Sequence, residues 1–250
     1  MPTQPPWFIV WKAMRVPLFL LILMSTLFLA DQMLALDLNR FGLIPLRVRG
    51  LPGIIMAPLL HGDLNHLWSN GVPFLVLGTG LFLLYKPLAL RILFLSWFIT
   101  GAWTWFFAYE GSIHVGSSGL VYALMAFHLT GALIRRRYDL TAFSLILIFF
   151  YGSMVWGFFP EFFPRQNISW ESHLMGAITG IVLALIFRHE GPSDNIRSVA
   201  EASDEESDLP WDQYELEGKK RASLKQPDSP VRYVYKPNPK QEESSKQTDS

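Results

Sequence analysis

Six stretches of this chain are long and apolar enough, or nearly so, to cross a lipid bilayer. No other feature of the sequence restricts the fold as much. A spanning helix needs about 20 mostly apolar residues, because hydrocarbon offers backbone N–H and C=O groups no partner but each other. Approximate limits are 16–36, 64–84, 88–108, 117–134, 140–159 and 172–188. The expected fold class is therefore all-α, a polytopic six-helix membrane bundle. The fourth and sixth stretches are short and rich in small residues, as helices packed inside a bundle tend to be. Lys12 and Arg15 ahead of the Val16–Ala30 run imitate a secretory signal, but no small-x-small cleavage site follows and further spans do.

Three parts are expected: an N-terminal cytoplasmic segment, 1–15; the membrane domain, 16–188; and a disordered polar cytoplasmic tail, 189–250. Residues 1–188 carry 12 Lys+Arg and 7 Asp+Glu, whereas 189–250 carry 9 and 14, so the net charge of zero is a cancellation between unlike parts. It gives no support to nucleic acid as a partner. The tail lacks the apolar density to form a core. Its Trp211, Tyr214, Tyr233 and Tyr235 are candidate docking points for an unidentified cytoplasmic binder. The absence of cysteine excludes disulfides, thiol catalysis and thiolate-bound zinc.

With the N-terminus inside, Lys12, Arg15, Lys86, Arg91, the Arg135–Arg137 triplet and Arg188 fall on the cytoplasmic side. Only Arg40, Arg47, Arg49 and Arg165 fall outside. Both termini are then cytoplasmic, and the expected location is a bacterial inner membrane. The segment between the first two spans contains Pro45, Pro52 and Pro58 and reads as an irregular outer loop. Leu51, Ile54, Ile55 and Met56 would place part of it in the membrane interface.

Polar side chains within spans are costly and mark sites. On the topology above, His66, Asn70, Ser118 and His173 all lie toward the outer ends of the second, fourth and sixth spans. Gly116-Ser117-Ser118-Gly119 opens the fourth. A serine at a helix start sits among unpaired N–H groups that can stabilise an oxyanion, and flanking glycines admit close approach. Tyr122, four residues on, shares the Ser118 face. Taken alone, the tetrad is more simply an N-cap. Ser117, about 100° round the helix from Ser118, is the second-choice nucleophile. In the sixth span His173 precedes the Gly176/Gly180 pair by one turn, and close packing there would hold the ring against a neighbouring helix. If that neighbour is the fourth span, His173 can take the Ser118 proton. No carboxylate is placed to orient the ring, since Glu171 points elsewhere on the helix; stacking on Tyr122 is the alternative. In the second span His66 and Asn70 share a face and can donate to an oxyanion, or simply glue helices together. His61 falls before the helix, with Asp63 its expected N-cap. His114 and His128 have no evident partners and read as loop or packing residues.

Together these residues resemble the rhomboid family of intramembrane serine proteases in its basic six-span form. The family pattern H-x4-H-x3-N matches His61, His66 and Asn70. G-x-S-G-x-x-Y matches Gly116, Ser118, Gly119 and Tyr122, and H-x-x-G-x-x-x-G matches His173, Gly176 and Gly180. The resemblance covers roughly residues 10–188. It implies a rhomboid-like bundle, a Ser118–His173 dyad and an oxyanion site of His66, Asn70 and the Ser118 N–H, with Tyr122 packed on His173. It also implies cleavage of transmembrane protein substrates near the outer face of the lipid bilayer, without metal or cofactor. Gly116 and Ser117 flank that site. One departure is visible: many relatives carry Trp-Arg in the first outer loop, whereas this loop has Arg47 and Arg49 and no Trp. Phe158, Phe159, Phe162 and Phe163, at the end of the fifth span, are candidates for a movable cover or for lipid-facing aromatics. The rival functions are a catalytically silent rhomboid-like binder of membrane clients and a transporter or channel. The latter would want mid-membrane charge, for which Asp31 alone is available.

Overall fold

The computed structural model describes residues 5–159 and 169–190. Arg165, Phe162, Phe163 and the four tail aromatics lie outside the described residues, as does the tail beyond Glu190.

Among the described residues seven α-helices run in order: α1 (Pro6–Leu34), α2 (Gly53–Met56), α3 (Leu64–Leu84), α4 (Ala89–Phe107), α5 (Ser118–Arg135), α6 (Tyr138–Tyr151) and α7 (Trp170–Ile186). A 3-10 segment, Gly152–Phe158, prolongs α6. Among the described residues five helices are long and apolar enough to cross a membrane: α1, α3, α4, α5 and α6 with its extension. α7, at 17 residues, is shorter. Among the described residues there is no strand, only one isolated antiparallel bridge between Leu43 and His114.

α1 starts ten residues before the expected span. Pro6 occupies the first turn, where its missing N–H costs nothing, and Lys12 and Arg15 extend from the helix rather than ending it. Its far end is tied down by Asp31, whose carboxylate accepts from the Leu38 N–H at 2.8 Å. That carboxylate closes the turn after α1.

α5 is the enclosed helix. Two thirds of its apolar window is buried, against 17% for the span built from α6. α7 packs against α5 backbone to backbone. A Cβ on Gly176 would strike the Gly119 carbonyl oxygen, and one on Gly180 would strike that of Ala123. The opposite end of the bundle is closed by polar groups spent on carbonyls. His128 Nε2 donates to Leu77 O at 3.0 Å, Ser144 to His128 O at 3.3 Å, and the Arg135 guanidinium to Phe187 O at 2.6 Å. The His128 reading as a packing residue fits its place against Phe127, Tyr85 and Phe143.

The first loop is not irregular. It is a chain of short helical turns: Leu38–Phe41, Val48–Gly50, α2 and Ala57–Leu59. Proline spacing marks the breaks, but each break is followed by a turn that satisfies its own backbone. Tryptophans do anchor this loop, although they come from α4. Trp105 Nε1–H donates to Arg47 O at 3.0 Å and Trp97 Nε1–H to Ile55 O at 3.2 Å, and the Leu46 N–H returns to Trp105 O at 2.9 Å. The exposed Arg47–Glu110 pair at 2.5 Å adds at most about 1 kcal/mol, so the indoles and backbone bonds fix the loop.

Candidate active site

α3, α5 and α7 bring the expected residues to one end of the bundle. Asp63 caps α3, its carboxylate accepting from the His66 N–H at 2.9 Å, which fixes the first turn and aims His66 and Asn70 along one face. Both lie against Gly116. A Cβ there would come within 2.5 Å of His66 Nε2 and 3.2 Å of Asn70 Nδ2. Gly116 also holds a φ of +103°, so a side chain at this position is opposed by both conformation and space. The Asn70 amide nitrogen is buried without a partner among the described residues. Such a donor is costly unless something accepts from it.

Ser117 is the N-cap of α5 and Ser118 its first residue. Ser117 is fully enclosed, its hydroxyl unpartnered among the described residues, while Ser118 is 8% exposed. His61 Nε2 accepts from the Ser117 N–H at 3.5 Å, and the His61 ring meets His66 edge-on with centroids 5.1 Å apart. Burial, with His66 beside it, pushes the His61 imidazole down to about 4. That ring is neutral at physiological pH, as its acceptor role requires.

Tyr122, one turn along from Ser118, stacks on His173 with centroids 4.2 Å apart and planes 10° from parallel. The glycine seam lets α7 come this close: Gly119, next to Ser118, lies against Ser172, next to His173. The ring is also oriented by a group that sequence reading missed. His173 Nδ1–H donates to the Gly157 carbonyl at 2.8 Å, which leaves Nε2 as the nitrogen able to take a proton. Gly157 comes this close because it has no side chain; a Cβ would lie 3.0 Å from Nδ1 and collide with the Tyr122 hydroxyl. That hydroxyl donates to Met154 O, and Phe158 packs edge-on against the Tyr122 ring at 5.0 Å. Of the expected cover residues, Phe158 thus touches the site directly, while Phe159 is partly exposed beside Trp156.

His114, expected to have no evident partner, has two. It is 5% exposed, hydrogen-bonded to Ser112 Oγ through Nε2 at 2.8 Å and to Ser169 Oγ through Nδ1. Burial lowers its imidazole below the usual range and the Glu171 carboxylate opposes that. Beside the site is a cavity of about 30 Å³ whose lining includes Thr100, Thr104, His114, Gly116, Gly119 and Ser172. The Thr100 and Thr104 hydroxyls are buried and unpartnered among the described residues, and the space is enough for a water or two.

The Rhomboid domain family matches residues 49–190, which include all three motifs. Uncharacterized proteins of Mycobacterium tuberculosis and Mycobacterium bovis are each 35% identical to this chain over 164 residues, 63% of this chain and 68% of theirs. An uncharacterized protein of Mycobacterium leprae is 33% identical over 180 residues, 70% of each chain. With the domain match spanning more than half the sequence and its helices gathering the motifs at one end of an apolar bundle, the chain is an integral multi-pass membrane protein that belongs to the rhomboid family.

Proposed function

We propose that this protein is an intramembrane serine endopeptidase that cleaves transmembrane segments of other membrane proteins. On this reading α7 is the sixth span, both termini are cytoplasmic and the site faces the outer side of a bacterial inner membrane. The single observation that carries the reading is the state of His173. Its ring is stacked on Tyr122, one turn from Ser118, and its Nδ1–H is committed to Gly157 O, which is the tautomer a general base needs.

Ser118 Oγ attacks the scissile carbonyl as His173 Nε2 removes its proton. The resulting oxyanion is met by Asn70 Nδ2–H, His66 and the N–H groups at the start of α5. Collapse expels the amine, which takes the proton from His173, and leaves an ester on Ser118. A water deprotonated by His173 then cleaves that ester and restores the hydroxyl. Here a carbonyl replaces the carboxylate of a triad: it fixes the tautomer but offers the imidazolium no full charge, so a modest turnover is expected.

The test is cleavage of a model transmembrane substrate in vesicles by the wild type, Ser118→Ala and His173→Ala. Each variant should insert normally and lose activity by about 10³-fold or more. Equal cleavage by Ser118→Ala would end the assignment. The rival, a silent client-binding protein, predicts substrate capture by all three and cleavage by none.

A further inference from the structure

We propose that His114 is a positioning residue for Ser118 and His173, fixing the start of the helix that carries the base relative to the segment that carries the nucleophile. The proposal rests on the protease reading above.

His114 lies four residues before Ser118, and its partner Ser169 lies four residues before His173. On its own side His114 is held firmly. Its N–H and C=O exchange hydrogen bonds with Leu43 at 2.8 and 2.9 Å, and two residues later the Gly116 N–H donates to Ala57 O at 2.8 Å. The segment entering α5 is therefore pinned to the first loop before it reaches Ser118.

On the other side Ser169 is the N-cap of α7, yet its hydroxyl does not cap its own helix. That hydroxyl is taken up instead by His114 Nδ1 and by Ser172 Oγ at 2.8 Å. The Ser169 carbonyl meanwhile accepts from the Ser172 N–H at 3.1 Å, from the Ser172 hydroxyl at 3.0 Å and from the His173 N–H at 3.2 Å. Whatever fixes Ser169 thus fixes the backbone of His173 one bond further on. Ser172 lies against Gly119, which closes the connection back to α5.

A serine spent on a distant histidine, rather than on the free N–H groups of its own helix, gives up a local cap worth about 1 kcal/mol. What the arrangement provides is register. The glycine seam lets α7 approach α5 closely but, having no interlocking side chains, resists sliding poorly. His114 supplies the lateral stop at the end where the chemistry sits, and a displacement of about 1 Å there costs on the order of 10²-fold in rate.

The experiment uses the full chain purified in detergent, with two readouts: kcat and KM on a model transmembrane substrate, and the rate of Ser118 labelling by a fluorophosphonate. His114→Ala and Ser169→Ala should each lower kcat and the labelling rate by about 10- to 100-fold, with KM nearly unchanged. The double variant should be no worse than the poorer single one, because both changes cut the same link. His114→Asn, whose amide reaches the Nδ1 position, should recover most of the loss, and Ser112→Ala should stay near wild type. Wild-type labelling by His114→Ala, or additive losses in the double variant, overturns the proposal. If His114→Ala does not purify folded, Ser169→Ala against Ser169→Thr makes the same decision, since threonine keeps the hydroxyl. A wild type that neither labels nor cleaves would instead sink the Ser118–His173 assignment itself.

Discussion

α5 and α6 follow one another in the chain and are both apolar, yet they serve the site in opposite ways. The α5 window has a mean hydropathy of 1.3 and is two thirds buried, whereas the α6 span reaches 1.7 and is 17% buried. The more hydrophobic helix is the outer one, because in a bilayer apolarity is satisfied by lipid and does not draw a helix inward. What draws α5 inward is smallness: Gly119, Ala123 and Ala126 along the α7 seam, and Gly131 against Tyr85. α5 therefore lends side chains, Ser118 and Tyr122, whose places are set by neighbours on several sides. The peripheral segment, α6 and its 3-10 extension, lends the carbonyls of Met154 and Gly157 and, at its last residue, the Phe158 ring against Tyr122.

If that contrast is right, the largest damage comes from filling the seam. Gly176→Leu should cost several kcal/mol, since the clash is with the Gly119 backbone and cannot be relieved by a rotamer. Phe149→Leu on the exposed face of α6 should change stability by no more than about 0.5 kcal/mol. Thermal midpoints in one detergent settle both, and equal losses would break the comparison.

Acid should attack the enclosed side next. His61 is neutral in the fold, its imidazole held at about 4 rather than 6.5. The unfolded chain takes up a proton as pH falls through 6.5, and the folded chain does not until about 4. Stability is thus complete above 6.5 and falls between those values, by up to about 3 kcal/mol. A protonated Nε2 would also confront the Ser117 N–H it now accepts from. His61→Asn should lessen the slope of the midpoint-against-pH curve over that window by the share of one proton; an unchanged slope would place the titration elsewhere.

The smallest effect should come from the lent carbonyl. Gly157→Ala pushes on His173 Nδ1 and the Tyr122 hydroxyl from the yielding side. A fall in kcat of about 10-fold is expected, with a midpoint shift much smaller than that of Gly176→Leu. A midpoint collapse would show that α6 is as firmly set as α5.

The same contrast explains what could be read from sequence. His66 with Asn70, Ser118 with Tyr122, and His173 with Gly176 and Gly180 are legible because each set lies within a turn or two of one helix, where spacing dictates facing. The Gly157 carbonyl was illegible because every residue type has one. The tie from His114 to Ser169 was missed because the two are 55 residues apart and a lone histidine shows no spacing. The anchoring of the first loop was missed because its tryptophans sit on α4, in a run that already reads as a span. The bounds of α1 slipped because helical geometry continues past the last residue that hydrocarbon requires.

α1 has 29 residues and α7 has 17, so at about 1.5 Å per residue one measures about 43 Å and the other about 26 Å. A membrane of about 30 Å cannot suit both upright. If α7 is the sixth span proposed above, the long helix must lean or protrude, and lipid must thin beside the short one. The dent would then fall next to the helix that holds His173, and on the protease reading a substrate helix arriving at that flank would meet water before it met the bundle's interior.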